Sequence, residues 1–190
     1  APDPAVLADA CRGVEVLFHL ASHPGADPGD PEGDTAGHQA VTVAGTRALL
    51  AAARLAGISR VVLASSVRAG PESTPYGQAK AEAEAELRAS GLPFCILRLV
   101  PLYGDAPRGN LGRLVTAMAR GRFPPPPRGI GRRSLLHVAD AAEAFRLAAS
   151  RPGALNRTLA VAEPRPYSLA DIHDLTARAR GVRPPRIRTP

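Results

Sequence analysis

The 190 residues are 45% hydrophobic, with two cysteines and a formal net charge of +7. That is enough apolar chain for one domain with a real core and a small appendage. The arginines are dispersed with no aromatic residues between them, which argues against a nucleic-acid surface. Cys11 and Cys95 show no CxxC spacing, and neither a signal peptide nor an apolar run of membrane-spanning length is present, so a cytoplasmic, non-membrane protein with two buried thiols is expected.

In chain order, Pro4 to Cys11 reads as a helix and Val14 to Leu20 as a short buried strand ending in a turn at Ala21 to Pro24. Asp27 to Gly37 is rich in Gly, Pro and Asp and reads as loop. Gln39 to Leu55 has apolar residues at helical spacing with Gly57 just beyond. Arg60 to Ala64 is the next strand and ends in Ser65 and Ser66. Thr74 and Pro75 open a helix, with a capping hydroxyl followed by proline at the first helical position, and Ala79 to Ala89 continues it with strong helix formers. Phe94 to Val100 is a third strand. Strand and helix alternate three times, which is the pattern of a parallel sheet with helices on both faces.

After Tyr103-Gly104-Asp105 the character changes. Leu111 to Arg120 reads as helix, Phe123 to Gly131 as an irregular proline-rich stretch, and Arg133 to Val138 as a short strand. Asp140 with Glu143 looks like a capping box opening Ala141 to Ala149. Thr158 to Val161 reads as a strand, and Ser168 with Asp171 caps a last helix ending near Gly181. Val182 to Pro190 reads as a strand leading onward. The five histidines have no metal-binding spacing, and no metal is expected.

One stretch carries chemistry. Ser66 stands at a strand end, and Tyr76 and Lys80 lie four apart on the helix that follows, so they share a face. Lys80 is the one lysine in a chain of 24 Lys+Arg. A compact ammonium differs from a planar guanidinium in size and hydration. A phenol beside such a cation, with a hydroxyl arriving from the strand, is a proton-transfer arrangement in which the cation lowers the phenol's pKa. Ligands of open parallel sheets bind at the carboxyl ends of strands, where His19 to Ser22, Ser65-Ser66 and Arg98 to Gly104 all fall.

These motifs resemble the extended short-chain dehydrogenase/reductase superfamily, in its NAD-dependent epimerase/dehydratase branch. The matching stretches are Val16 to Ala21, Val41 to Leu50, Val62 to Ser66, Tyr76-Gly77-Gln78-Ala79-Lys80 (YxxxK), Leu97-Arg98 with Tyr103-Gly104, and Arg133 to Asp140, in family order. Asn110, Arg120 to Pro124 and Arg132 to Leu136 look most like bacterial UDP-sugar 4-epimerases of polysaccharide pathways. The resemblance implies an α/β, Rossmann-like parallel sheet with a small C-terminal substrate-binding part. Residues 1–104 would form a partial NAD-binding domain and 105–190 a mainly substrate-binding region with return segments to the core.

The resemblance also implies roles. Ser66, Tyr76 and Lys80 would be catalytic, with Tyr76 the acid/base and Lys80 holding the nicotinamide ribose. Leu20, Ala21, Ser22, Thr42, Ser65, Tyr76 and Lys80 would line NAD. Ser66, Asn110 and Arg133 would bind the nucleotide-sugar, with Arg133 on its pyrophosphate. The chain departs from the pattern in having no G-x-x-G-x-x-G turn for the dinucleotide pyrophosphate. The expectation is therefore an N-terminally truncated fragment or a mis-called gene start, aggregation-prone through an exposed sheet edge, and with NAD against NADP undetermined. Thr42 stands where the family has Asn, and the link from Ser66 to Tyr76 is short. The resemblance leaves a homodimer open. The alternatives are a related NAD(P)-dependent reductase or dehydratase, against the latter of which Val67 and Arg68 after Ser66 count, and a non-catalytic Rossmann-like binding protein.

Overall fold

The computed structural model describes residues 4–23, 34–104, 109–129 and 131–184. In chain order these form α1 (Pro4–Ala10), β1 (Val16–His19), α2 (Thr35–Gly37), a π-helical segment (His38–Val43), α3 (Ala44–Leu55), β2 (Arg60–Ser66), α4 (Pro75–Ala89), β3 (Phe94–Leu99), β4 (Leu102–Tyr103), α5 (Gly109–Ala119), β5 (Leu136–His137), α6 (Val138–Ser150), β6 (Arg157–Val161) and α7 (Leu169–Ala179). Two compact units emerge, and the chain passes between them more than once: residues 1–99 with 143–160, and residues 100–142 with 161–190.

In the first unit the strands order β1-β2-β3-β6, with β1, β2 and β3 parallel. Side chains alternate between the faces of a strand. Leu17, Val61, Leu63 and Ile96 pack on Leu50 and Ala53 of α3, Leu87 of α4 and Leu7 of α1. The opposite face meets α6, where Phe18 packs edge-on to Phe145 at 6.3 Å and Arg60 caps the helix carbonyls of Ala148 and Ala149 at 2.9 Å each. Val61, Val62 and Ile96 are fully buried, each worth about 1.5–3 kcal/mol of transfer free energy. The second unit holds the two-stranded parallel pair β4–β5, and α5 and α7 packed around Met118, Leu135 and Ile172.

Several local expectations are corrected. β1 is not fully buried: Phe18 is 45% exposed, because β1 is an edge among the described strands. The helical run begins at Thr35 rather than Gln39, and is π-helical over His38–Val43. Asp34 starts it by accepting the Gly37 N–H at 2.7 Å. Thr74 is the N-cap of α4 and Pro75 follows it, but the Thr74 hydroxyl makes no capping bond. Arg133 to Val138 is a strand only at Leu136–His137; Arg133 instead forms an isolated antiparallel bridge with Tyr167. α6 begins at Val138, so Asp140 sits within its first turn, and Glu143 pairs with Arg146 rather than closing a capping box. The Ser168–Asp171 capping box on α7 is formed from both sides. The loop expected before Asp34 and the strand expected at the C-terminus lie largely outside the described residues. Among the described residues, no helix is long and apolar enough to cross a membrane.

Candidate active site

Period-two alternation sends the two serines at the end of β2 to opposite faces. The buried Ser65 hydroxyl donates to Glu84 Oε1 at 2.5 Å and is committed there. Ser66 is buried and accepts the Arg68 N–H at 3.2 Å, and its hydroxyl faces the Tyr76 phenol, whose pKa it pulls down. The link from Ser66 to Tyr76 closes as a chain of tight turns, with Ala69 N–H to Ser66 O at 2.9 Å and Gly70 N–H to Gly77 O at 3.3 Å. Gly77 permits this: a Cβ there would overlap the Arg68 carbonyl and the Ser73 side chain.

α4 carries Tyr76, Lys80 and Glu84 at four-residue intervals, hence on one stripe. Lys80 is 5% exposed, and its Nζ donates to the Ala64 carbonyl at 3.0 Å and sits 5.8 Å from the centre of the Tyr76 ring. Burial lowers its pKa to about 8, against an opposing pull from Glu84. Burial likewise raises the Tyr76 phenol above 10, while the Ser66 hydrogen bond and the Arg68 charge pull it down. Lys80 stands where the expectation puts it, 5.8 Å from the ring, and Arg68 is a second cation that pulls the phenol down.

Glu84 has no solvent exposure and accepts four hydrogen bonds: from Ser65, from Arg98 Nε at 2.8 Å and Nη2 at 2.7 Å, and from Arg88 Nη2 at 2.8 Å. Burial alone would raise its carboxyl, but these bonds outweigh it and hold the pKa below the ordinary value. Glu84 thus ties the helix bearing Tyr76 to β2 and β3. Sequence reasoning passed over it, although its place four residues beyond Lys80 on the same face was the signal.

At the end of β1, Leu20 and Ala21 are exposed and Ser22 is half-buried. Thr42 is buried, and its hydroxyl accepts the His23 N–H at 3.0 Å and lies 3.3 Å from Ser22 Oγ. Thr42 therefore fastens the β1 loop directly. His19 is buried, with Nε2 2.7 Å from Thr46 Oγ1, and burial first, then Lys80, lowers its pKa to about 4. His38, also missed, packs edge-on to the Tyr76 ring at 5.8 Å. Its inward position comes from the π-helical register, for which the sequence has no signal.

The remaining expected residues lie in the second unit. Arg133 has an exposed side chain, and its backbone is fixed by paired bonds with Tyr167 at 2.7 and 2.8 Å. Tyr167 in turn donates to Glu163 at 2.6 Å, and hydrogen bonding to Glu163, then burial, pushes the Tyr103 phenol up to about 12. Asn110 lies in α5, with its side chain outside the described residues. Among the described residues no group of three or more His, Cys, Asp or Glu could hold a metal ion.

A family model described as "NAD dependent epimerase/dehydratase family" matches residues 2–162. The solved structure of MoeE5 in complex with UDP-glucose and NAD is 28% identical, with a TM-score of 0.76 over 96% of this chain and 69% of that one. UDP-glucuronic acid 4-epimerase from Bacillus cereus in complex with NAD is 18% identical, with a TM-score of 0.79 over 96% of this chain and 65% of that one. A DesIV double mutant (dTDP-glucose 4,6-dehydratase) from Streptomyces venezuelae is 23% identical, with a TM-score of 0.76 over 95% and 62%. These last two likenesses show the fold. The chain thus spans about two thirds of the length of the solved chains it matches. No curated protein matches it.

Proposed function

The chain belongs to the NAD dependent epimerase/dehydratase family, and from that premise we propose that it carries the proton-transfer centre of an NAD-dependent UDP-sugar 4-epimerase working through a 4-keto sugar. The observation that carries this reading is the Ser66–Tyr76–Lys80 arrangement, a phenol beside a strand-end hydroxyl that pulls its pKa down, with a buried ammonium one helical turn on, 5.8 Å from the ring centre.

When bound, NAD would supply a reversible hydride acceptor for the sugar carbon and a positive charge that favours phenolate at Tyr76. Tyr76 then accepts the 4-hydroxyl proton and gives it back, while Ser66 holds that hydroxyl in line. Lys80 spends one of its three donors on Ala64 O, so two are left for the nicotinamide ribose. Leu20, Ala21, Ser22 and Thr42 border the cofactor at the β1 end, whereas Ser65 contributes through Glu84. Arg133 pairs with the substrate pyrophosphate, and Asn110 bonds the same region. In this reading the first unit serves the cofactor and the second the sugar nucleotide, and a homodimer is part of the proposal. The residues present fit the ribose end of NAD; none of them forms the glycine-rich turn that cradles a dinucleotide pyrophosphate.

MoeE5, crystallised with UDP-glucose and NAD, supports this substrate class. Val67 and Arg68, which follow Ser66, supply no acid for a dehydratase. Protein expressed from the complete reading frame, incubated with UDP-glucose and NAD, is expected to yield UDP-galactose by NMR. Tyr76→Phe should slow this by about 10²-fold or more, the usual worth of a positioned acid/base. A 4-keto-6-deoxy product would establish the dehydratase instead, and full activity in Tyr76→Phe would end the reading.

A further inference from the structure

Arg68 brings a charge to the reacting centre that the mechanism above does not use. Its backbone is held at two points. The Arg68 N–H donates to Ser66 Oγ at 3.2 Å, and its carbonyl packs on Gly77, where a Cβ would overlap it. Gly77 follows Tyr76 directly, so Arg68 is pinned between the strand-end hydroxyl and the first turn of the helix that bears the phenol. The Ala69 N–H bond to Ser66 O at 2.9 Å and the Gly70 N–H bond to Gly77 O at 3.3 Å leave it little room to withdraw. The side chain itself is exposed, and among the described residues no carboxylate pairs with it. Other arginines packed on the same helix are committed: Arg88 and Arg98 to Glu84, and Arg47 to Glu86. The Arg68 charge still reaches the Tyr76 phenol, whose pKa it pulls down.

We propose that Arg68 is the specificity-determining residue of this site and pairs with a carboxylate on the sugar, which makes a UDP-hexuronic acid the preferred substrate. The inference rests on the epimerase reading, in which the sugar's 4-hydroxyl sits on Tyr76 and Ser66. In a hexose, C4 is flanked by C3, which bears a hydroxyl, and by C5, which bears the exocyclic C6 group. Only C6 becomes a carboxylate with the ring intact, and it then offers the planar pair of acceptors that a guanidinium's fork of donors suits. A bound sugar also takes Arg68 out of water, and covering a charge without a counter-charge is costly. A neutral hydroxymethyl group at C6 leaves that cost standing, whereas a carboxylate offsets it. The benefit is mutual. A carboxylate brought unpaired beside the phenol would oppose its ionisation, and Arg68 neutralises it. An amino sugar is repelled by the same charge, so the site discriminates in both directions. The other anion of the substrate, its pyrophosphate, is assigned to Arg133 in this reading and does not compete for Arg68.

The test measures kcat/KM for UDP-glucuronic acid and UDP-glucose with the complete protein and NAD, following 4-epimer formation by NMR. Wild type should favour the uronic acid by about tenfold or more, the usual worth of charge-assisted hydrogen bonds. Arg68→Gln should erase that preference, with most of the loss in KM for the uronic acid. Arg68→Lys keeps the charge without the fork and should fall between. If Arg68 only biases the phenol, Arg68→Gln lowers kcat/KM on both substrates by the same factor, and the proposal is overturned; a wild-type preference for UDP-glucose overturns it too. Should Arg68→Gln not fold, Arg68→Lys decides by whether the ratio falls. Calorimetric binding of both nucleotides to Tyr76→Phe reads the same preference without turnover. An enzyme that epimerises neither sugar removes the epimerase reading, and binding then decides Arg68 alone: tighter binding of the uronic acid, lost when Arg68→Gln is added, upholds the pairing, and equal binding overturns it.

Discussion

Glu84→Gln tests the anchoring of the site most directly. The substitution keeps size and one acceptor oxygen but removes the charge that Arg98 and Arg88 address, and turns an amide toward donors. Breaking a buried ion pair on one side typically costs about 3–5 kcal/mol. Here Arg98 and Arg88 are 35% and 42% exposed, so water recovers part of that, and about 2–3 kcal/mol is expected. In a 190-residue chain this is a fall in Tm of roughly 5–10 °C, read alongside urea midpoints. The pH dependence gives an independent signature. Glu84 holds its carboxyl below the ordinary 4.5, so the native state gives up this proton more readily than the unfolded chain. Its contribution is complete above pH 4.5 and is lost as pH falls through the lower native value. The gap between wild type and Glu84→Gln should therefore be constant at neutral pH and close in acid. A loss below about 0.5 kcal/mol, or a gap that persists unchanged at low pH, would refute the anchoring role.

Lys80 releases its proton at about 8 in the native state against 10.5 in the unfolded chain, so wild-type stability should rise between those pH values, by on the order of 2–3 kcal/mol; Lys80→Met should flatten that rise in urea titrations at pH 7.5 and 10. Gly77→Ala should displace the Arg68 carbonyl, costing about 1–3 kcal/mol as an overpacked site does and lowering turnover in the proposed assay at least tenfold; unaltered melting and turnover would show the loop to be more pliant than its contacts indicate. Arg68→Gln removes a cation that pulls the phenol down, so the Tyr76 tyrosinate absorbance should titrate at higher pH than in wild type, with the basic limb of the activity profile moving the same way.

The sheet was legible because apolar runs of strand length alternate with helical spacing, and that alternation encodes parallel topology directly. Tyr76 and Lys80 were legible because a four-residue interval on a helix is a spatial statement. Glu84 carried the same interval and was missed, since a glutamate in an Ala/Glu-rich helix looks solvated until the arginine from β3 arrives. The π-helical segment had no signal: Gln39 to Leu55 has an α-helical pattern, and a wider turn over His38–Val43 re-aims His38 without altering composition. The caps expected at Thr74 and Asp140 failed for a common reason. A capping residue type states that a hydroxyl or carboxylate can close a helix end, while the helix start is set by packing, which placed Asp140 inside α6 and left the Thr74 hydroxyl unused.

The lone lysine shares its surroundings with a second cation, and their partners differ. Lys80 is held by the Ala64 carbonyl and balanced by Glu84, which fixes α4 to β2, while its charge also lowers His19. Arg68 adds a charge that pulls the Tyr76 phenol down, and it sits on the short link whose closure depends on Gly77. The shortness of that link is therefore part of the electrostatics, since it carries the Arg68 charge that works against burial at the phenol. In this chain the stripe Tyr76–Lys80–Glu84 supplies position, and the link from Ser66 to Tyr76 supplies the hydroxyl and the charge that oppose burial at the phenol, although burial still holds its pKa above the ordinary value.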